Sequence, residues 1–398
     1  MIRDVATLYA SPNVLARHYT RFRVAQRLLL TGHSHQAWPD CAERAHAQAW
    51  EDAAELVDAK WDRAFERAER VRAGFARLLD TSPDTISLGS STHELVVKWL
   101  SALPLRERPH LLTTDAEFHS ARRLLSRLEE EGVRVTRVAA RPAESVGERL
   151  AQRVDDPVAG VIVSTVFFDS GEIAGALEAL ADTCQRRGVS LLLDAYHQLN
   201  VLPMSLPEQH LESAFVTGGG YKYCQLGEGN AFLRAPPDCA LRPVITGWYA
   251  EFDALSAATS GGVAYGPLRV RFAGATYDPT SHYRAAEVFA FFREQGLTPA
   301  LLREVSQHQI GLLRCEFDAL ALPRERIGRR DVPLEQIAGF LALQTPFAGA
   351  IQQALAQRGV WCDARADVLR LGPAPYLSDA QLRDAIAILG EVVRTLEP

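Results

Sequence analysis

The sequence predicts an α/β fold built on a mostly parallel sheet, and three observations support that prediction. Between residues 85 and 235, short apolar runs alternate with segments of helical periodicity, which is the pattern of βαβ units. Two runs, at 191–193 and 214–217, are apolar throughout, as strands buried on both faces are. From residue 282 the pattern changes to longer helices, which indicates a second, smaller α+β domain.

The individual elements follow from local pattern. Residues 1–40 are irregular except for a short strand at 28–30, and residues 40–80 have the composition and apolar spacing of a helical region. The large unit should then contain strands at 85–88, 110–115, 133–138 and 158–166, and helices at 120–131 and 177–187. The turn at 227–230 should lead into an antiparallel strand, and residues 253–267 should form a loop. The small unit should contain helices at 283–295, 299–320, 347–358 and up to about 396, and strands at 337–345 and around 370.

Composition excludes several classes of protein. A net charge of -6 and a pI near 6.0 give no indication of nucleic acid or an anionic membrane as a partner. No apolar run approaches the ~20 residues that cross a bilayer, and the N-terminus lacks the apolar core of a secretory signal. The six cysteines are scattered without a CxxC pair, so we expect reduced thiols in a cytoplasmic protein.

Two charged residues follow the two central strands. Asp194 ends the first apolar run, and Lys222 follows the second run after three glycines. Ligands bind at the carboxyl ends of strands in open α/β sheets, so both side chains should face one crevice. A carboxylate and a lysine placed in this way suit pyridoxal phosphate (PLP), with the lysine as its Schiff-base partner. The alternative is ordinary: a turn-capping Asp and a solvated lysine.

Three further positions could contribute to such a site. Ser91 and Glu94 have capping-box spacing at a predicted helix start, which is either a phosphate cradle or simply a well-capped helix. Phe118 follows a strand and could stack on a cofactor ring, with His119 as its rival. Asp169 could reach the cofactor's 3-oxygen or could be a turn residue.

Two histidines, His33 and His35, lie in a polar loop after the first short strand. Their spacing could serve a metal ion, but no third ligand with suitable spacing is present. We therefore expect no metal, and expect both histidines to line a substrate pocket.

Taken together, the motifs resemble one group of enzymes. They are an Asp-x-x-His ending at His197, the Tyr-Lys-Tyr around Lys222, the Gly-Trp pair at Trp248, and Arg370 before a Pro-rich turn and a Tyr. Over roughly residues 25–395 the chain resembles kynureninase-like enzymes of the class V aminotransferase group, within the fold-type I PLP-dependent enzymes. The resemblance implies a large PLP-binding domain at 41–281 with a mostly parallel seven-stranded sheet, a small C-terminal domain at 282–398, and a segment 1–40 that packs with it.

The resemblance also implies roles for the central residues. Lys222 would be the Schiff-base lysine and would carry the Cα proton, and Asp194 would pair with the pyridinium nitrogen. His197 would lie beside the cofactor's 3-oxygen or phosphate. Tyr221 would bind phosphate and is an acid/base candidate, and Arg370 would bind the substrate α-carboxylate.

The remaining implied contacts are peripheral to these. Ser91 and Thr92 would bind phosphate, and Phe118 would stack on the ring. Trp248 and Thr276 would come from the neighbouring subunit, so the resemblance implies a homodimer with active sites at the subunit interface.

The implied function is a PLP-dependent enzyme acting on a small-molecule amino acid substrate, by kynureninase-like hydrolysis of a Cβ–Cγ bond that releases alanine. His33 or His35 would be a further acid/base candidate. The segments 32–36, 249–252 and 253–283 depart from the family pattern on the substrate side, so a class V aminotransferase or β-lyase is the alternative. A cysteine desulfurase is disfavoured because Cys362 lies in a predicted strand, and a Rossmann-type nucleotide binder because no GxGxxG follows a first strand.

Overall fold

The computed structural model describes residues 2, 4–255 and 262–396. The strands are β1 (Leu28–Leu29), β2 (Ile86–Gly89), β3 (His110–Thr114), β4 (Arg134–Val138), β5 (Val158–Ser164), β6 (Ser190–Asp194), β7 (Phe215–Gly219), β8 (Ala231–Arg234), β9 (Gly328–Arg329), β10 (Leu341–Gln344), β11 (Val360–Trp361), β12 (Asp363–Arg365) and β13 (Val368–Leu371). The α-helices are α1 (Cys41–Leu56), α2 (Lys60–Leu79), α3 (Thr92–Ala102), α4 (His119–Glu130), α5 (Val146–Ala151), α6 (Leu177–Arg187), α7 (Leu268–Arg271), α8 (Thr280–Gln295), α9 (Pro299–Ala319), α10 (Ala348–Gln357) and α11 (Asp379–Thr395).

A seven-stranded sheet forms the centre of the large unit. Its strand order is β2-β8-β7-β6-β5-β3-β4. All pairs from β7 to β4 are parallel, whereas β8 is antiparallel to both β2 and β7. The prediction of a mostly parallel sheet in an α/β fold is confirmed.

The sheet lies between two apolar layers, which explains why its central strands are apolar throughout. Leu191 and Leu193 of β6 belong to the core on one face, while Leu192 belongs to the core on the other. Helices α2 and α6 cover the first face, and α3 and α4 cover the second. Because successive strand residues point to opposite faces, only the strand ends are free to carry polar groups into a site.

The carboxyl ends of the parallel strands meet at one edge of the sheet. Ser164 ends β5 opposite Asp194 of β6, and Asp194 pairs in turn with Thr217 of β7. The chain then passes through Gly219 and Gly220 to Lys222. The fold therefore brings Asp194 and Lys222 to neighbouring positions.

The C-terminal elements form a second sheet. Its order is β12-β13-β10-β9, with every pair antiparallel, and α9, α10 and α11 accompany it. Near it, β1 pairs in parallel with β11, and Thr31 bridges Gly372. The N-terminal segment is thereby joined to the C-terminal elements, although the exact domain boundaries stay a prediction.

Some predicted elements differ in extent. The helical region at 40–80 is two helices, because Val57 adopts a φ of 53° between them. The strand predicted at 158–166 ends at Ser164, beyond which Val166 bridges Ile173 across a turn. Residues 253–254 end a 3-10 helix, and residues 256–261 of the predicted loop lie outside the described residues. Across the described ranges, no helix is both long enough and apolar enough to cross a membrane.

Candidate active site

Lys222 lies buried at the carboxyl edge of the large sheet. Its Nζ atom is 2.7 Å from Nε2 of His197 and 4.8 Å and 5.4 Å from the ring centres of Tyr196 and Phe118. Burial lowers the pKa of Lys222 to about 7, with the charge of Asp194 opposing the shift. A substantial fraction of this amine is therefore unprotonated and nucleophilic at neutral pH.

Asp194 offers one free carboxylate oxygen to the same space. Its Oδ1 accepts a hydrogen bond from the backbone N–H of Tyr196 at 2.9 Å. Its Oδ2 accepts no hydrogen bond from the described residues. Burial raises the pKa of Asp194, while this hydrogen bond and the charge of Lys222 oppose the rise. The unpaired oxygen of this half-buried carboxylate suits a protonated ring nitrogen.

His197 contributes an unpartnered nitrogen. Its side chain is buried, Nε2 faces Lys222, and Nδ1 has no hydrogen-bond partner among the described residues. Burial, and next the charge of Lys222, lower the pKa of His197 well below its ordinary value, so the imidazole is neutral. Leaving a buried polar atom unpaired costs free energy, so Nδ1 suits a polar group of a ligand.

The N-terminus of α3 is the position at which the sequence predicts phosphate binding. Ser91 is its N-cap and accepts a hydrogen bond from the N–H of Glu94 at 3.3 Å, and Thr92 is the first helical residue. The carboxylate of Glu94 accepts from the N–H and Oγ of Ser90 rather than from Ser91, and Lys98 neutralises it at 2.5 Å. The described N–H groups and hydroxyls of this turn remain suited to a phosphate.

Aromatic side chains surround Lys222. Phe118 is the one that faces the amine, whereas its rival His119 packs edge-on against Phe168 with ring centres 5.2 Å apart. Tyr221 stacks on His35 at 4.8 Å and contacts Tyr196 at the same separation. Tyr221 and His35 therefore lie together, with the His35 side chain largely exposed at the outer side of the cluster.

Arg370 and His33 are joined through a residue that sequence reasoning missed. Arg370 donates to Asp363 through Nε at 2.8 Å and Nη2 at 2.5 Å, and His33 contacts Oδ1 of the same carboxylate at 2.9 Å. Asp363 stands directly opposite Arg370 in the pairing of β12 with β13. Opposite charges at facing strand positions stabilise a sheet, but which positions face each other depends on the register of β12 against β13. The structure thus places His33 behind Arg370, as a partner of Asp363.

Glu117, the residue before Phe118, was also missed. Its buried carboxyl accepts from Thr114 Oγ1 and Ser164 Oγ, each at 2.6 Å, and from the N–H of Ser164 at 3.2 Å. Burial raises the pKa of Glu117 to about 7, although the hydrogen bonds oppose the rise. It fixes the loop that carries Phe118, and no local sequence pattern signals such a buried acid.

Three predicted cofactor contacts lie elsewhere in the single chain. Asp169 accepts from Arg141 at 2.7 Å, and its Oδ1 is buried without a described partner. Trp248 packs on Tyr249 and the side chain of Phe252, and it is 41% exposed. Thr276 is exposed as well. Within the described part of the chain, none of the three has a hydrogen bond or ring contact with the residues around Lys222.

The described residues contain no group of three or more His, Cys, Asp or Glu side chains that could hold a metal ion. They do fit PLP. A buried amine with a pKa of about 7, a free carboxylate oxygen, an unpartnered imidazole nitrogen and a helix N-terminus match the aldehyde, ring nitrogen, 3-oxygen and phosphate of that molecule.

Sequence comparisons point in the same direction. The family model for the kynureninase C-terminal domain matches residues 330–389, a stretch that includes Asp363 and Arg370. An uncharacterized aminotransferase, YcbU of Bacillus subtilis (strain 168), is 22% identical over 370 residues, which are 91% of this chain and 95% of that protein. A kynureninase of Geobacillus thermodenitrificans (strain NG80-2) is 30% identical over 175 residues, 42% of this chain and 40% of that protein.

Structural comparison agrees on the fold. C-DES, solved as a lysine mutant with glycine covalently linked to its PLP cofactor, superposes with a TM-score of 0.81 at 16% identity. The match covers 94% of this chain and 98% of that one. The predicted fold-type I architecture is confirmed, and the comparisons together support a class V aminotransferase-like, PLP-dependent enzyme of that fold.

Proposed function

We propose that this chain is a PLP-dependent enzyme that acts on an amino acid by kynureninase-like hydrolysis of its Cβ–Cγ bond, releasing alanine. The observation that supports the cofactor is the buried amine of Lys222 beside the free oxygen of Asp194. The observation that favours the kynureninase-like reaction is the family match over residues 330–389, which contains the predicted carboxylate-binding Arg370.

When bound, PLP supplies an electron sink for negative charge at the substrate Cα. Asp194 would keep the ring nitrogen protonated, which maintains that capacity. Lys222 would accept the proton from Cα and return it, because its lowered pKa lets it exchange protons near neutral pH. His197, 2.7 Å away, would hold the freed amine in position.

Substrate selection would depend on Arg370. Its guanidinium is buried beside Phe340, with Cζ 5.6 Å from the ring centre, and Phe340 also contacts the ring of His197 at 5.9 Å. A carboxylate bound by Arg370 would therefore lie on the His197 side of Lys222. His35, stacked on Tyr221 at the outer side, would contact the substrate side chain.

The test is turnover of L-kynurenine by the purified holoenzyme, followed by anthranilate fluorescence and by alanine release. The proposal predicts equal amounts of both products and none with Lys222→Ala. If another amino acid is consumed and L-kynurenine is not, the hydrolase assignment is wrong while the cofactor assignment stands.

A class V aminotransferase is the alternative, because a relative that matches 91% of this chain is named as an uncharacterized aminotransferase. It would convert an amino donor into its oxo acid only when a second oxo acid accepts the amino group. A β-lyase would instead release ammonia and pyruvate. Product analysis with an amino acid panel separates these reactions from Cβ–Cγ hydrolysis.

A cysteine desulfurase is disfavoured by the state of the cysteines. That reaction needs an accessible thiol near the substrate, but Cys224 and Cys362 are both buried. Burial raises the pKa of Cys362 to about 12, so its thiol is protonated and inert. The exposed Cys315 lies on α9, away from the candidate site.

We also propose that the enzyme is a homodimer whose partner supplies Trp248 and Thr276 to each site. Both residues lie apart from the Lys222 cluster within one chain, and the stacked rings of Trp248 and Phe252 are 41% and 42% exposed. Further large apolar side chains are exposed in the flanking sequence, namely Val244, Ile245, Leu255 and Val263. Such a patch is typical of an interface.

A further inference from the structure

Two residues hold the guanidinium of Arg370 in place. The carboxylate of Asp363 accepts hydrogen bonds from Nε and Nη2, along one side edge of the guanidinium, at 2.8 Å and 2.5 Å. The carbonyl oxygen of Phe168 accepts a third hydrogen bond, from Nη1, at 2.5 Å. Both charged side chains are buried, with Arg370 4% and Asp363 7% exposed. An arginine has five N–H donors. Two of them, one on each terminal nitrogen, have no acceptor among the described residues.

The carboxylate of Asp363 is held in turn by His33. Nε2 of His33 lies 2.9 Å from Oδ1, and the ring packs against Phe340 with centres 4.7 Å apart. The other edge of the imidazole abuts Gly372, where an added Cβ would come within 2.2 Å of Nδ1. Burial lowers the pKa of His33 to about 4, so the ring is neutral and donates Nε2–H to Asp363.

Asp363 neutralises the charge of Arg370. The hydrogen bonds from His33 and Arg370 outweigh burial and lower the pKa of Asp363 well below its ordinary value, so the carboxylate is ionised. With His33 neutral, Asp363 and Arg370 sum to zero, and the exposed Arg365, whose Nη2 lies 3.5 Å from Oδ2 of Asp363, adds a positive charge beside the pair. Charge alone does not fix where a carboxylate binds, so the orientation of the donors of Arg370 governs its placement.

We propose that Asp363 is a positioning residue that turns the free end edge of Arg370 toward a single substrate carboxylate. This inference rests on the proposed function, because it assumes that Arg370 receives the α-carboxylate of an amino acid. Asp363 acts by holding the side edge, which leaves one N–H on each terminal nitrogen for a two-point bond. His33 supports it by keeping the Asp363 carboxylate in place.

The test compares ligands with and without a carboxylate. Dissociation constants are measured from changes in the visible absorption of the holoenzyme, for L-alanine with ethylamine, L-phenylalanine with 2-phenylethylamine, and L-kynurenine with kynuramine. In Asp363→Asn, the amide nitrogen would face an N–H donor of Arg370 or His33, and the guanidinium of Arg370 would no longer be held by two hydrogen bonds to a carboxylate. We expect amino acid dissociation constants to rise about tenfold or more, as for a lost charge-assisted pair, while those of the amines do not change.

A matched control is available on the protein surface. Asp318 holds Arg329 through the same two nitrogens, at 2.8 Å and 2.7 Å, so Asp318→Asn removes an equivalent pair away from the site. It should leave both ligand classes unaffected. If Asp363→Asn loses its cofactor spectrum, Asp363→Glu takes its place, because it keeps the charge but displaces the guanidinium, and the same selective loss is expected.

Three results would overturn the proposal. They are an unchanged affinity for amino acids in the tested variant, an equal loss for amino acids and amines, and a wild-type holoenzyme whose spectrum responds to no α-amino acid. A crystal structure of the variant is a second test. In that structure, Nη1 of Arg370 should no longer donate a hydrogen bond to the carbonyl oxygen of Phe168. Failure to cleave L-kynurenine is separate, since alanine or phenylalanine still reports on the carboxylate site.

Discussion

At the scale of single residues, the environment of Lys222 has a measurable consequence. Its pKa of about 7 means that the amine of the cofactor-free protein loses its proton near neutral pH. The rate at which apoprotein reacts with added PLP should therefore rise with pH and level off above about 7. With an ordinary lysine, this rate would continue to rise up to a pH of about 10.4. Stopped-flow absorbance of the apoprotein between these values measures the midpoint, and a midpoint near 10 would show that the amine is not desolvated.

Glu117 gives a second prediction at this scale. Folding raises the pKa of Glu117 from 4.5 to about 7. The stabilisation from this group is therefore fully present below pH 4.5, and it is lost as the pH rises through about 7. The loss should approach about 3 kcal/mol at one pKa unit per 1.36 kcal/mol.

The Glu117→Gln variant carries no charge at that position at any pH. Its unfolding free energy, measured by urea denaturation, should change less between pH 5 and 8 than that of the wild type. The exposed Glu208→Gln is the control and should follow the wild type. Parallel pH curves for Glu117→Gln and wild type would contradict the buried, protonated state of Glu117.

At the scale of elements, two helices begin with the same kind of cap. Ser91 accepts from the N–H three residues on at 3.3 Å, and Ser378 does so at 3.4 Å at the start of α11. Replacing either by Ala should cost about 1 kcal/mol of stability. Only Ser91→Ala should also weaken PLP binding, by about tenfold, as expected for one lost hydrogen bond to a charged group.

Equilibrium titration of the two apoproteins with PLP measures this difference. Ser378→Ala controls for the loss of a cap alone. Equal PLP affinities in the two variants would remove α3 from the proposed phosphate site.

The elements themselves were largely predictable from the sequence. The run at 191–193 and the helix at 177–187 depend on local pattern, and both appear where expected. The pair Asp194 and Lys222 was predictable because strand ends of a parallel sheet meet at one edge. The bond between Asp363 and Arg370 was not predicted, because it depends on the register of β12 against β13, which no local pattern gave. The burial of Glu117 depends on the packing of three separate elements.

At the scale of the whole molecule, the exposed patch around Trp248 predicts an interface. In Trp248→Asp, a charge would replace a 41% exposed ring within an apolar cluster, so the proposed homodimer should dissociate. Trp50 is 80% exposed on α1, and Trp50→Asp is the matched control that should remain dimeric. Light scattering after gel filtration measures the mass, and a monomeric wild type or a dimeric Trp248→Asp would contradict the assignment.

The central claim is that Lys222 holds the cofactor, and the sequence makes its test unusually direct. The chain has three lysines, Lys60, Lys98 and Lys222. Borohydride reduction of the PLP-loaded protein fixes a lysine–cofactor linkage, and peptide mass spectrometry then identifies the labelled residue. The account predicts stoichiometric label on Lys222, with none on Lys60 or Lys98. Label on either of the other lysines, or stoichiometric PLP binding that survives Lys222→Ala with an unchanged spectrum, would contradict it.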